Sequence, residues 1–163
     1  MLVDLQPDSR FDDAPESAVD ALVARLNQTL SFLHAATPCA DLPVGLLSTG
    51  TAAAAALRSA ACSAAQVRAV ACVAGRLDLA GLATLQRLDI PALLISASGD
   101  PKNIQINNLA FEQMHCPRQL RLIPTSGRGF EDRKALEDVA ALTVAWFERH
   151  FAAQRCCSLG FGG

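Results

Sequence analysis

Charge is scarce in this chain: Asp, Glu, Lys and Arg make up only 18% of its 163 residues, while 51% are hydrophobic. That balance excludes a disordered, charge-rich tail protein, which lacks the apolar surface needed to offset chain ordering. Neither sign of charge dominates. The net charge is −2, the pI is about 5.9, and Lys and Arg are scattered, so no basic stripe marks a nucleic-acid or anionic-membrane surface. No apolar run approaches the ~18 residues that suggest a bilayer span. The opening MLVDLQPDSRFDD is acidic and lacks the basic flank and apolar stretch of a signal peptide, which makes the cytoplasm the expected compartment. The six cysteines include no C-x-x-C pair, and adjacent Cys156 and Cys157 form a poor disulfide framework. Most of these thiols are expected to be reduced and packed like small apolar side chains. No internal repeat is present.

What is there is apolar patterning that alternates between strand and helix. The length suits one domain with a substantial core, expected over 13–152 between an N-terminal extension (1–12) and a Cys/Gly-rich tail (153–163). Asp13-Ala-Pro-Glu16 has the form of a helix start, and Val19, Leu22, Val23, Leu26, Leu30 and Leu33 recur at helical spacing to about His34. Strands are expected over 42–47, 67–73, 90–97 and 119–123, the third apolar throughout like a parallel strand covered on both faces. Helices are expected from Gly50 through the alanine block, over 79–88, over 104–114 and over 134–151. In the last, Leu136, Val139, Leu142, Trp146 and Phe147 should point inward. The alternation predicts an α/β fold of about four mostly parallel strands with helices on both faces.

Val44 to Leu57 (VGLLSTGTAAAAAL) reads as buried strand, sharp turn and helix, the layout of a nucleophile elbow whose usual signature is G-x-S-x-G. Without gaps, Ser48 and Ala52 fall on the two glycines and Gly50 on the nucleophile. The next strand and loop, VRAVACVAGRLDLAG, and the stretches IPALLISASGDPKN and RLIPTSGRGFED follow in order. On these residues the chain resembles, from about 13 to 151, the dienelactone-hydrolase-like branch of the α/β-hydrolase superfamily. The resemblance places Asp100 at the triad acid and Arg128 where the histidine would stand. Arg stays protonated at ordinary pH and cannot serve as general base. Gly50, Arg128 and Asp100 would leave only the orienting acid of a Ser-His-Asp triad. A shifted register would make Ser48 or Thr49 the nucleophile, but it puts Leu46 at a position that needs glycine, and it supplies no histidine.

Against that family the chain starts late, which implies a truncated sheet with strand 42–47 at an edge. An apolar edge invites pairing with another chain, so a homodimer through this strand is expected. Two functions follow. In the first, the scaffold hydrolyses esters, lactones or phosphoesters through a metal-bound water, with zinc the expected ion. The pool of ligands is His34, Cys39, His115, Cys116, His150, Cys156 and Cys157, with a further Cys72, Asp78 and Asp100 group near the old catalytic face. In the second, a non-catalytic relative binds a small anion or a protein partner. Thr51 at the start of a helix, with Arg76 and Arg128, would form the anion site. A structural pairing of Arg76 with Asp78 or Asp100 competes with that role.

Overall fold

In the computed structural model, the described residues are 16–36, 40–62, 67–125 and 127–157. The expected extension over 1–12 and helix cap at Asp13 lie outside them, as do Cys39 and the tail from 158 onward. Among the described residues ten elements follow one another. Helix α1 (Glu16–Ala36) leads into β1 (Val44–Thr49), α2 (Gly50–Cys62) and β2 (Val67–Val73). A 3-10 turn (Leu77–Ala80), α3 (Leu82–Arg87) and β3 (Ala92–Ala97) come next, then α4 (Pro101–Gln113), β4 (Arg118–Ile123) and α5 (Arg133–Cys157). The four strands form one sheet in the order β1-β2-β3-β4, every pair parallel. The fold is α/β, as the alternation predicts.

The two central strands explain why the apolar runs are continuous. All six residues of β3 are buried, and so are all but Arg68 of β2. Each strand is covered on both faces and has no use for alternation. On one face α1, α2, α3 and α4 pack into a core with Leu22, Leu30, Leu57, Val70, Leu94 and Met114. On the other, Trp146 and Ala135 of α5 close over Ala69, Ala71, Leu93 and Ile95. Burying each large aliphatic side chain contributes about 1.5–3 kcal/mol. The alanine block of α2 is what lets that helix lie close: Ala53 to Ala56 are at most 2% exposed.

Several boundaries differ from expectation for identifiable reasons. Strand β1 starts at Val44, after the exposed Leu42 and Pro43. Helix α4 begins at Pro101, because Asp100 caps it by accepting a hydrogen bond from the Asn103 amide at 3.0 Å. Helix α5 continues past Phe151 to Cys157. Leu136 does not point inward as expected: it is 52% exposed, and Ala135 and Thr143 take buried places on the helix instead. β1 is an edge strand, with Leu47 exposed beside it. Gly45 on the same strand is where α5 crosses: a Cβ there would come within 2.6 Å of the Phe147 ring. Among the described residues, no helix is long and apolar enough to cross a membrane.

Candidate functional site

The junction of β1 and α2 has the geometry of an elbow. The strand ends at Thr49 and the helix starts at Gly50, which turns the chain with φ +54°. L-residues seldom adopt that left-handed conformation, and glycine adopts it without steric cost. Nothing lies within 4 Å of where a Cβ on Gly50 would project, so the apex opens onto free space. Ser48 sits elsewhere. It lies within the strand, opposite Cys72, and its hydroxyl turns to the Ala71 carbonyl at 3.5 Å and the Cys72 sulfur at 3.8 Å. The alternative register therefore finds no raised serine at the turn.

A cleft of about 500 Å³ opens at this apex, lined by residues from four loops or helix starts. Gly50 and Thr51 come from α2, Ala74 and Arg76 from the end of β2, Asp100 to Asn103 from the start of α4, and Arg128 from the loop after β4. The three positions aligned with a triad, Gly50, Asp100 and Arg128, thus share one cavity. So do the proposed anion contacts Thr51, Arg76 and Arg128. Lys102, Ala74 and Asn103 join them without having been singled out from sequence.

Each wall of the cleft is held by local bonds. Asp100 and Arg128 are brought together by stitching between two loops. Ser98 Oγ accepts from the Thr125 amide at 3.0 Å, and the Gly99 amide donates to Thr125 Oγ1 at 3.3 Å. Thr125 Oγ1 in turn donates to the Gly127 carbonyl at 2.7 Å. The wall after β2 is fixed from beneath. Asn103 and Asn107 both donate side-chain amide hydrogens to the Gly75 carbonyl, at 3.0 and 3.2 Å. Ser96 donates to Asn103 Oδ1 at 2.8 Å. The Arg76 amide donates to the Gly50 carbonyl at 2.9 Å, tying that loop to the elbow. Buried polar groups with partners of this kind resist displacement. Between them sits Ala74 at φ +47°, a conformation that costs a non-glycine residue of order 1–3 kcal/mol and collects at functional sites.

Charge in the cleft favours anions. Arg76, Lys102 and Arg128 face one lining carboxylate, Asp100. Arg76 is engaged with Asp78 through a forked contact at 2.9 to 3.2 Å. Its guanidinium is therefore partly neutralised, as its expected structural pairing implied. Among the described residues no carboxylate pairs with Arg128 or Lys102. Of Asp100, one oxygen serves the Asn103 amide and the other has no partner among the described residues.

The described members of the expected metal pool do not come together. Among the described residues, no three His, Cys, Asp or Glu side chains are grouped to hold an ion. The sheet separates them. His34 ends α1 on one face, with Nδ1 2.9 Å from the Leu30 carbonyl, and Cys116 is buried in the core of that face. His150 belongs to α5 on the opposite face, its ring against Trp146, and His115 is exposed. Desolvation, with the Arg149 charge adding to it, holds the His150 pKa below its usual value. Burial raises that of Cys116. The side chains of Cys39, Cys156 and Cys157 lie outside the described residues. Cys72 is fully buried and its thiol is pushed up to about 12, so it is no nucleophile for the cleft. Neither Cys72 nor Asp78 lines the cavity with Asp100.

Comparison with known proteins agrees with this geometry. No family model matches the chain. A dienelactone hydrolase from Anabaena variabilis superimposes with a TM-score of 0.77 at 34% identity, over 82% of this chain and 61% of that one. A CIB-like hydrolase from Thermoplasma acidophilum (TM-score 0.64, 13% identity, 80% of this chain, 60% of that one) shares the fold. So does esterase B from Lactobacillus rhamnosis (0.59, 16%, 88% and 65%). Two Mycobacterium tuberculosis proteins, provisionally named phosphoribosyl transferases, are 34% identical over 146 residues, which is 90% of this chain and 33% of theirs. The chain spans about a third of the length of these curated relatives. Over the part of the solved hydrolases that it spans, the chain is an α/β-hydrolase-fold relative of the dienelactone hydrolases.

Proposed function

We propose that the cleft at the elbow binds a small anion and performs no serine-triad chemistry. One observation carries the reading: Gly50 at the apex offers no attacking atom, while Arg128, which has no carboxylate partner among the described residues, stands in the same cavity. A guanidinium there cannot accept a proton, but its forked donors suit a carboxylate or a phosphate. Lys102 adds to the attraction, and the helix dipole at the opening turn of α2 favours negative charge. Hydrolysis by a metal-bound water finds less support, because among the described candidate ligands His34 and Cys116 lie on the opposite face of the sheet from His150. The dienelactone hydrolase name of a solved relative fits a cleft that takes a small molecule, and the name of the Mycobacterium tuberculosis proteins fits a phosphorylated ligand.

Titration calorimetry with inorganic phosphate tests the reading. Arg128→Ala is expected to weaken binding by roughly tenfold or more, the loss of a charge-assisted hydrogen bond. Wild-type affinity should fall as salt is raised, because Lys102 and Arg128 are exposed and salt screens exposed charges. No serine should become labelled by an organophosphate. Unchanged phosphate binding in the Arg128 variant, or a labelled serine, overturns the proposal.

A further inference from the structure

Resting on the anion-binding reading, we infer that the ligand is a phosphorylated polyhydroxy compound. The phosphate would lie against Arg128 and Lys102, and a neighbouring hydroxyl would donate to Asp100. The cleft presents two unlike demands within one cavity. Its cationic side has Arg128 and Lys102, both without carboxylate partners among the described residues. A phosphomonoester carries about −1.5 to −2 charge and three acceptor oxygens, enough for both groups at once. A carboxylate has one charge and two oxygens, and a single forked guanidinium satisfies it.

The other demand comes from Asp100. Its carboxylate is fixed as the cap of α4 by the bond to the Asn103 amide, which leaves an oxygen on the cavity wall unused by any described residue. An ionised carboxylate can only accept hydrogen bonds, so it asks for a donor. The phosphoryl group of a doubly ionised phosphate ester brings none, and its charge would be repelled. A hydroxyl on the carbon chain of a phosphate ester supplies the donor and keeps the phosphate at a distance. The cavity, about 500 Å³, has room for a small sugar or glycerol phosphate. The wall that carries Ala74 and Arg76 is held by Asn103 and Asn107 from below, so the two demands have fixed relative positions.

Calorimetry with inorganic phosphate, n-propyl phosphate and glycerol 3-phosphate separates the possibilities, since the last two differ in hydroxyls alone. Glycerol 3-phosphate is expected to bind about tenfold or more tighter than propyl phosphate, the worth of hydrogen bonds to a charged acceptor. Asp100→Asn keeps a side chain that caps helices as well as aspartate, so the fold should survive. In that variant the preference should shrink toward unity, while the affinity for propyl phosphate, whose ionised phosphoryl group has no donor for a carboxylate, rises as the repelling charge is removed. Equal binding of the two esters by the wild type overturns this inference and leaves the anion site standing. A preference that persists unchanged in Asp100→Asn also overturns it. Failure of all three probes to bind removes the anion site itself.

Discussion

Gly99→Ala is expected to destabilise the protein by about 1–3 kcal/mol, the cost of overpacking a fixed contact, and to weaken phosphate binding by more than the Arg128 variant does. The first methyl group at this position would collide with the carbonyl oxygen of Gly127 and approach its carbon to 2.8 Å. Both are backbone atoms, so no side chain can swing aside. The loops bearing Asp100 and Arg128 would have to part, breaking the bonds that Ser98 and Thr125 make across the gap. Thermal unfolding and calorimetry together check this. An intact melting temperature with unchanged phosphate affinity would show that the two loops are not held as described. Gly50→Ala makes the control, since open space surrounds that position and the penalty comes from φ +54° alone, about 1–2 kcal/mol.

The second large effect is an alkaline one. Burial pushes the Cys72 thiol up from 9.0 to about 12, with the Ser48 hydroxyl opposing part of the rise. The unfolded chain would release this proton near pH 9 and the folded chain only near 12. Between those values the unfolded state holds fewer protons, so stability falls as pH rises, and below about pH 9 the contribution is intact. The slope from this group is about 1.4 kcal/mol per pH unit across the window. Urea unfolding at intervals from pH 7 to 11 should show a steep decline in the wild type and a shallower one in Cys72→Ala. The substitution also leaves a small cavity, but that offset is the same at every pH. Parallel curves for the two proteins would refute the assignment.

The outer limits of the fold were legible because the two interior strands carry their signal in every residue. VRAVACV is apolar but for Arg68, and β2 occupies 67–73 as its pattern predicts. The edges were less legible. Leu42 looked like strand, yet the sheet does not reach it, and hydrophobicity alone does not tell a strand residue from an exposed neighbour. At α4 the Asp100-Pro101 pair is a recognisable helix start. The resemblance masks it by giving Asp100 another role. In the candidate site, Gly50, Asp100 and Arg128 could be named because they fall on motif positions. Ala74 could not, since its positive φ leaves no mark in composition. Asn103 and Asn107 did leave one: two amides a helical turn apart on a helix that packs against a sheet ask for a buried acceptor, and the Gly75 carbonyl is that acceptor. His34 and His150 fall in one pool from sequence yet lie on opposite faces, because proximity to a helix end does not say which face of the sheet the helix covers.

Because each strand lies beside its neighbour in sequence, most of the pairing in this sheet can be made by segments that are already close along the chain. Each pairing closes the loop of one crossover, about two dozen residues, and not a loop the length of the chain. The sheet can therefore grow by stepwise zippering, one crossover at a time. The cleft, which needs the loop following the final strand, becomes complete only when that growth has reached its far edge.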